Sequence, residues 1–120
     1  MNSLTLAYLG DSVYEIYIRT FLIKKGIIKV NELQKEAIKY VSAKGQAYYL
    51  KKMLDDNFLN DEEITIVKRA RNHKVASHPK NTDIVTYKLA TGLEALIGYL
   101  KLQNKDKRIE EIMNYILEVI

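Results

Sequence analysis

Apolar side chains recur every three or four residues along almost the whole chain, which is the spacing of one face of an α-helix. The alternation of apolar and polar residues that is typical of a β-strand is nowhere sustained, and Pro79 is the only proline. The pattern predicts a series of helices that begin near Ser3, Asn31, Ser42, Asn60, Thr82 and Lys107. We therefore expect one all-α domain over residues 1–120.

Residues at several of these boundaries are typical helix caps. Ser3 and Ser42 are the expected N-caps of the first and third helices, and Gly26 is expected to end the first. Asn31-Glu32-Leu33-Gln34 and Asn60-Asp61-Glu62-Glu63 have the spacing of a capping box, in which the first and fourth residues exchange hydrogen bonds. These boundaries thus depend on local signals as well as on the apolar pattern.

The first helix is apolar around much of its circumference. We expect its buried face to consist of Leu6, Leu9, Val13, Ile16, Tyr17 and Phe21. A helix that is apolar on most sides is buried on most sides. In a chain of 120 residues, a second copy of the chain would provide the additional cover, so the pattern favours a homodimer.

The composition excludes several classes of protein and leaves the partner open. The chain contains no cysteine, so disulfide bonds and thiolate zinc sites are excluded. No apolar run is long enough to cross a membrane, and the first residues do not resemble a signal peptide. We therefore expect no membrane association and a cytoplasmic location. The net charge of +4 is too small to identify a partner.

Charge is distributed unevenly around the fourth predicted helix. Residues 68–80 carry five fixed positive charges and no acid, whereas residues 55–63 carry five acids and no base. This layout could orient a polyanion such as a nucleic acid. Two solvated faces without a binding role would give the same layout.

Two acidic residues, Asp11 and Glu94, stand in otherwise apolar stretches. A buried carboxylate is unfavourable unless it is paired, hydrogen-bonded or bound to a metal. Glycines lie near both acids, at positions 10, 92 and 98, and would allow two helices to approach closely. If the helices cross, the carboxylates could share Mg²⁺, which is usually held by one or two carboxylates together with substrate phosphate. The alternative is that Asp11 pairs with a lysine or caps a broken helix and that Glu94 faces solvent.

The residues around both acids resemble the motifs of the ribonuclease III family. Leu9-Gly10-Asp11-Ser12-Val13 resembles the centre of the family signature, and Glu94-Ala95-Leu96-Ile97-Gly98 resembles its second motif. The resemblance covers nearly the full length. It is strongest with Mini-ribonuclease III, the bacterial form that lacks a double-stranded-RNA-binding domain. Further segments that are similar to that form are 41–44, 68–72, 79–83 and 86–87.

The resemblance implies an all-α homodimer in which each protomer cuts one strand of a double-stranded RNA. Asp11 and Glu94 match the family's catalytic acids and, by the resemblance, bind the Mg²⁺ that holds the phosphate and activates a water. The products would carry a 5′-phosphate and a 3′-hydroxyl. The implied substrate is precursor 23S ribosomal RNA, and a ribosomal protein could assist the reaction.

The chain departs from the larger family members at two acidic positions. They carry a glutamate four residues before the signature aspartate, where this chain has Ala7. They carry an aspartate three residues before the second motif, where this chain has Thr91. Fewer protein ligands leave more of the coordination shell to water and phosphate, which Mg²⁺ tolerates.

Thr91 and Glu15 are secondary candidates for the metal site. Glu15 lies one helical turn after Asp11, on the same face of the first helix. It is equally well spaced to pair with Arg19, and we favour that pairing. Thr91, Glu15 or water would fill the remaining coordination places.

Without an appended RNA-binding domain, the catalytic domain must bind the duplex itself. Proteins recognise double-stranded RNA mainly through its shape and through phosphate and 2′-hydroxyl contacts. The expected phosphate contacts are basic residues of segment 68–80, namely Lys68, Arg69, Arg71, Lys74 and Lys80. His73 and His78 lie in the same segment without an evident nucleophile, so phosphate contact or solvent exposure suits them better than acid–base catalysis.

Two other functions are compatible with the sequence. A catalytically inactive ribonuclease III-like module would bind structured RNA without cutting it, although such a module has no need of acids near phosphates. An all-α interaction protein would not bind an RNA duplex at moderate salt. The leading interpretation is a Mg²⁺-dependent endoribonuclease that acts on double-stranded RNA.

Overall fold

A computed structural model describes residues 1–73, 80 and 82–119, and within these ranges the chain forms six α-helices and no strand. The helices are α1 (Ser3–Lys24), α2 (Val30–Val41), α3 (Ala43–Asp55), α4 (Asp61–Arg71), α5 (Ile84–Leu102) and α6 (Asp106–Leu117). The all-α prediction is confirmed, and each helix begins within two residues of its predicted start. No helix in the described ranges is both long enough and apolar enough to cross a membrane.

Helix α5 lies at the centre of the fold, and α1, α3, α4 and α6 pack around it. Ten of its 19 residues are buried, among them Leu93, Leu96 and Ile97, which are completely inaccessible to solvent. A helix that is apolar on nearly every side is stable in water only when other helices surround it. Helix α2 covers α1 and α3 from outside and has no fully buried residue.

Helices α1 and α5 approach each other very closely at two glycines. A Cβ atom at Gly10 would lie 1.7 Å from the Glu94 carbonyl oxygen, and one at Gly98 would lie 1.9 Å from the Leu6 carbonyl oxygen. Both distances are about half of an ordinary contact between non-bonded heavy atoms. Only glycine therefore permits this crossing.

The third glycine near the acids, Gly92, has a different environment. A Cβ atom there would lie 3.5 Å from the side chains of Leu50 and Val67, which is an ordinary van der Waals distance. Close helix approach therefore accounts for Gly10 and Gly98 but not for Gly92.

Several helix ends are formed as the sequence predicts. Ser42 Oγ accepts a hydrogen bond from the Gly45 backbone N–H at 3.0 Å. Asn60 and Glu63 form the predicted capping box, with reciprocal hydrogen bonds of 2.9 and 3.0 Å. Gly26 ends α1 with a φ of 104°, a left-handed conformation that favours glycine.

Two predicted caps are wrong, the first by one residue and the second by two. Asn2 caps α1 in place of Ser3: its Oδ1 accepts a hydrogen bond from the Leu4 backbone N–H at 2.7 Å, and Ser3 is already helical. Helix α2 begins at Val30, before the expected cap Asn31, and no side chain caps it. Asparagine and serine are both good N-caps, so adjacent polar residues compete and the sequence does not choose between them.

Helix α1 buries a different face from the expected one. Its buried apolar residues are Leu6, Ala7, Tyr14, Ile18 and Leu22. Of the six expected residues, Leu6 is buried, Ile16 is exposed, and the other four are partly buried. Because α1 is apolar around much of its circumference, spacing alone could not select the face; the close contact with α5 at Gly10 determines it.

Arg108 of α6 joins α6 to the beginning of α4. It donates hydrogen bonds to both carboxylate oxygens of the buried Glu63, each at 2.8 Å, and to the Phe58 carbonyl oxygen at 2.8 Å. Burial alone would raise the pKa of Glu63, but the hydrogen bonds from Arg108 and from the Asn60 backbone hold it below its usual value. This ion pair is therefore fully hydrogen-bonded, which is the condition under which a buried charge is tolerated.

Replacement of Gly98 by alanine should destabilise the protein strongly. We expect Gly98→Ala to lower the free energy of unfolding by about 3 kcal/mol, since overpacking that displaces backbone has this order of cost. Gly92→Ala, in the same helix, is the matched control. We expect it to be tolerated or to stabilise by up to about 1 kcal/mol, because alanine is the better helix former. Urea unfolding followed by circular dichroism measures both; equal effects would contradict the close crossing.

Candidate active site

The crossing of α1 and α5 brings Asp11 next to Glu94. Gly10, which precedes Asp11, touches the backbone of Glu94. The carboxyl groups of the two acids lie close enough to share a hydrogen bond. Asp11 is exposed, whereas Glu94 is half-buried. Two acids that are distant in the sequence therefore form one cluster at the surface of the helix crossing.

The surroundings of Glu94 raise its pKa to about 8. Burial is the largest cause, followed by the hydrogen bond to Asp11 and the negative charge of Asp11, while the charge of Glu15 adds a smaller repulsion. A carboxyl group with this pKa is mostly neutral at pH 7 and can donate a hydrogen bond to a neighbouring carboxylate. Without a cation, Glu94 therefore stays largely protonated at neutral pH.

The secondary candidates both have partners of their own. Glu15 forms an ion pair with Arg19, with 2.8 Å between Oε2 and Nε, which is the pairing favoured from the sequence. Thr91 is buried, and its Oγ1 donates a hydrogen bond to the Tyr87 carbonyl oxygen at 3.0 Å. Neither side chain is thus free to move toward Asp11 without losing a contact.

The buried side of the acid pair includes Tyr14, whose hydroxyl the sequence analysis did not consider. Tyr14 is completely buried and donates a hydrogen bond to the Tyr40 carbonyl oxygen at 2.7 Å. Its pKa is raised, chiefly by burial and to a smaller extent by Tyr49 and Glu94. Tyr14 therefore stays neutral and joins α1 to α2 behind the acids.

Gln46 is a second polar residue near Glu94 that sequence reasoning missed. It is buried, and its amide lowers the pKa of Glu94, so the two side chains are neighbours. One signal could have identified it: Gln46 precedes Leu50 by four residues and thus lies on the apolar stripe of α3. A polar residue on a buried stripe needs a physical reason.

The acid pair has the donor chemistry of a magnesium site. Among the described residues, no group of three or more acidic, histidine or cysteine side chains is placed to hold a metal, so the acid pair is the candidate site within that part of the chain. A divalent cation would supply the counter-charge that allows both carboxyl groups to ionise. Mg²⁺ typically binds one or two carboxylates and keeps several waters, so Asp11 and Glu94 fit this ion.

The end of helix α4 packs beside the same crossing. Ala70, in the last turn of α4, forms a small buried cluster with Leu6 and Ala7 of α1 and with Ala95 of α5. Ala95 directly follows Glu94 in the sequence. The last turn of α4 is therefore fixed against the crossing of α1 and α5.

This last turn of α4 is strongly basic. Four of the five expected phosphate contacts lie in the described ranges and are exposed, namely Lys68, Arg69, Arg71 and Lys80. The fifth, Lys74, lies outside the described residues, as does His78. Basic side chains are favourable at a helix C-terminus because of the helix dipole, so their position there has a structural benefit as well.

Replacing Glu94 should stabilise the metal-free protein at alkaline pH. Folded Glu94 keeps its proton up to about pH 8, whereas a glutamate in an unfolded chain loses its proton near pH ~4.3. Between these values the folded state binds the extra proton, so its stability falls as the pH rises. Glu94→Gln removes this fall. We expect its melting temperature near pH 9 to exceed that of the unmodified chain by about 4 °C or more, with a smaller difference near pH 5.

Calorimetry in EDTA at both pH values measures this effect. Glu110→Gln, which alters an exposed acid on α6, is the matched control and should keep the pH dependence of the unmodified chain. The same fall of stability with pH in Glu94→Gln would show that Glu94 does not carry the extra proton.

Comparison with known proteins identifies the family. The Ribonuclease III domain family matches residues 4–105, a range that includes both acids. A protein from Enterococcus faecalis named Mini-ribonuclease 3 is 45% identical over 120 residues, which cover 100% of this chain and 91% of that protein. A protein of the same name from Clostridium tetani is 47% identical over 120 residues, covering 99% of this chain and 78% of that protein.

A solved structure agrees with this relationship. The crystal structure of protein FN1578 from Fusobacterium nucleatum is similar with a TM-score of 0.86 and 36% sequence identity, covering 98% of this chain and 92% of that one. The fold is shared over nearly the whole length of that structure, and by its sequence the chain belongs to the ribonuclease III family of endoribonucleases.

Proposed function

We propose that this endoribonuclease cleaves double-stranded RNA with Mg²⁺ held between Asp11 and Glu94, and that its natural substrate is precursor 23S ribosomal RNA. The observation that carries the proposal is the contact between the two carboxyl groups at the α1–α5 crossing, which adds to the effect of burial in raising the pKa of Glu94. At neutral pH, two acids held together in this way would both ionise only with a cation beside them. The implied location is the cytoplasm, and a ribosomal protein is a further candidate partner.

The chain's own groups would perform the following parts of the reaction. Asp11 and Glu94 would bind the cation through carboxylate oxygens, and Glu94 would lose its proton as it does so. When bound, Mg²⁺ lowers the pKa of a coordinated water and stabilises the charge that develops on the phosphate. No separate protein base is then required. Because Asp11 is the exposed member of the pair, the substrate phosphate would approach from its side.

The remaining coordination places would go mainly to water and to phosphate oxygens, as is usual for Mg²⁺. Glu15 could bind the cation only after leaving Arg19. Thr91 could contribute an oxygen lone pair while its hydroxyl still donates to the Tyr87 carbonyl oxygen. Both therefore stay secondary candidates beside Asp11 and Glu94.

The basic turn at the end of α4 would bind the RNA backbone. Lys68, Arg69 and Arg71 are exposed, and the contacts of Ala70 fix their helix beside the α1–α5 crossing. Phosphates that contact this turn would therefore lie near the acid pair. Lys80 and Lys74 would extend the same contact along the segment that follows.

The working unit would be a homodimer. Helix α1 exposes large apolar side chains along one side, namely Leu4, Tyr8, Ile16 and Ile23. Tyr8 is 85% exposed, and a stripe of this kind on a soluble protein is typical of an interface. A second copy would cover it, and two protomers would present one acid pair to each strand of a duplex.

Loss of either acid should abolish cleavage. We expect Asp11→Asn and Glu94→Gln each to reduce the rate of duplex RNA cleavage in Mg²⁺ by about 10³-fold, since charge stabilisation by a bound metal is worth several kcal/mol. Gel analysis of the products measures the rate, circular dichroism checks the fold, and Glu110→Gln is the control. Undiminished cleavage by the variants would reject the acid pair as the active site. If the unmodified chain binds RNA without cutting it, the catalytically inactive module is the better interpretation.

Loss of two basic residues should weaken RNA binding. We expect Arg69→Ala combined with Arg71→Ala to flatten the dependence of log affinity on log salt by roughly one to two units. The slope reports the number of counterions released on binding, and each phosphate contact that is lost lowers that number. Lys24→Ala combined with Lys25→Ala, at the far end of α1, removes the same charge and is the control. Filter binding over a salt series measures both pairs. If the salt slope of the Arg69→Ala/Arg71→Ala variant equals that of the unmodified chain, the end of α4 does not contact phosphate.

A further inference from the structure

Gln46 is buried without a partner for its amide group. It lies near the beginning of α3 and is 3% exposed. Its Nε2 makes no hydrogen bond, and it is the one fully buried side-chain nitrogen or oxygen in this condition among the residues that the structure describes. An unpaired buried donor destabilises a folded protein.

The Gln46 amide acts on the carboxyl group of Glu94. The Gln46 amide lowers the pKa of Glu94 as a hydrogen-bond donor would, so it lies beside that carboxyl group, although the geometry at Nε2 does not complete the hydrogen bond. A carboxylate that binds a cation through one oxygen keeps lone pairs on the other oxygen to accept a hydrogen bond. Gln46 is the buried donor next to such an acceptor.

We propose that Gln46 is a positioning residue that donates a hydrogen bond from Nε2 to Glu94 and thereby holds this carboxylate in the orientation that binds the divalent cation. The inference rests on the proposed function, because it requires Glu94 to be a metal ligand. Hydrogen-bond partners behind a metal ligand fix its orientation, and their loss typically weakens metal binding by about 10–100-fold. Gln46 itself, being buried, would touch neither the cation nor the RNA.

The test is Gln46→Met, which keeps the length of the side chain and removes the donor. We expect the dissociation constant for Mn²⁺, measured by electron paramagnetic resonance without RNA, to rise about 10–100-fold. The melting temperature in EDTA should stay the same or increase, because the unpaired amide is gone. The affinity for duplex RNA in EDTA should not change. Gln103→Met, an exposed glutamine at the end of α5, is the matched control.

The combination of these measurements separates positioning from a structural role. A lower melting temperature with unchanged Mn²⁺ affinity would overturn the inference. Gln46→Leu is a second variant without the donor, and failure of both variants to fold would likewise show that the role is structural.

Glu94→Gln distinguishes this inference from the proposed function. If Glu94→Gln loses Mn²⁺ binding and Gln46→Met does not, only the role of Gln46 is wrong. If Glu94→Gln also binds Mn²⁺ normally, the metal site itself is wrong.

Discussion

The contact between the backbones of α1 and α5 is the constraint on which the rest of the structure depends. At Gly10 and Gly98 no side chain separates the two helices, whereas helix axes in proteins are usually kept apart by a layer of side chains. This contact determines which face of α1 is buried, and it sets Asp11 beside Glu94. The other helices then cover the remaining sides of α5, so that the acid pair lies at the edge of a nearly complete apolar core.

The unfavourable polar groups of the structure lie together in one region, around the acid pair. Glu94 is half-buried next to another acid, and Gln46 behind it lacks a hydrogen bond. Elsewhere a buried charge is fully satisfied: Glu63 receives hydrogen bonds from Arg108 and from the backbone of Asn60. Proteins commonly break the rules of polar satisfaction at functional sites and obey them elsewhere. The contrast between Glu94 and Glu63 therefore supports the acid pair as the place where this fold carries out chemistry.

Helix α4 packs with its basic last turn against the two helices that carry the acid pair. Ala7, which stands where larger family members are expected to carry a glutamate, is buried against Ala70 in the last turn of α4. The basic end of α4, which carries the exposed Lys68, Arg69 and Arg71, thus packs beside the helix crossing that holds the acids. A chain with fewer acidic ligands thereby gains positive charge close to the site where phosphate is expected to bind.

The sequence by itself determined the helices and much of their ends, because helical spacing and capping are set by residues within about four positions of each other. The capping box at Asn60, the stop at Gly26 and the two motifs that contain Asp11 and Glu94 could all be read in this way. The buried face of α1 could not, because that helix is apolar around much of its circumference and Ile16 fits the spacing as well as Tyr14 does. The unpaired amide of Gln46 and the raised pKa of Glu94 could not be predicted from the sequence either. They arise from contacts between residues that are distant in the sequence, and only the tertiary structure decides which of those residues meet.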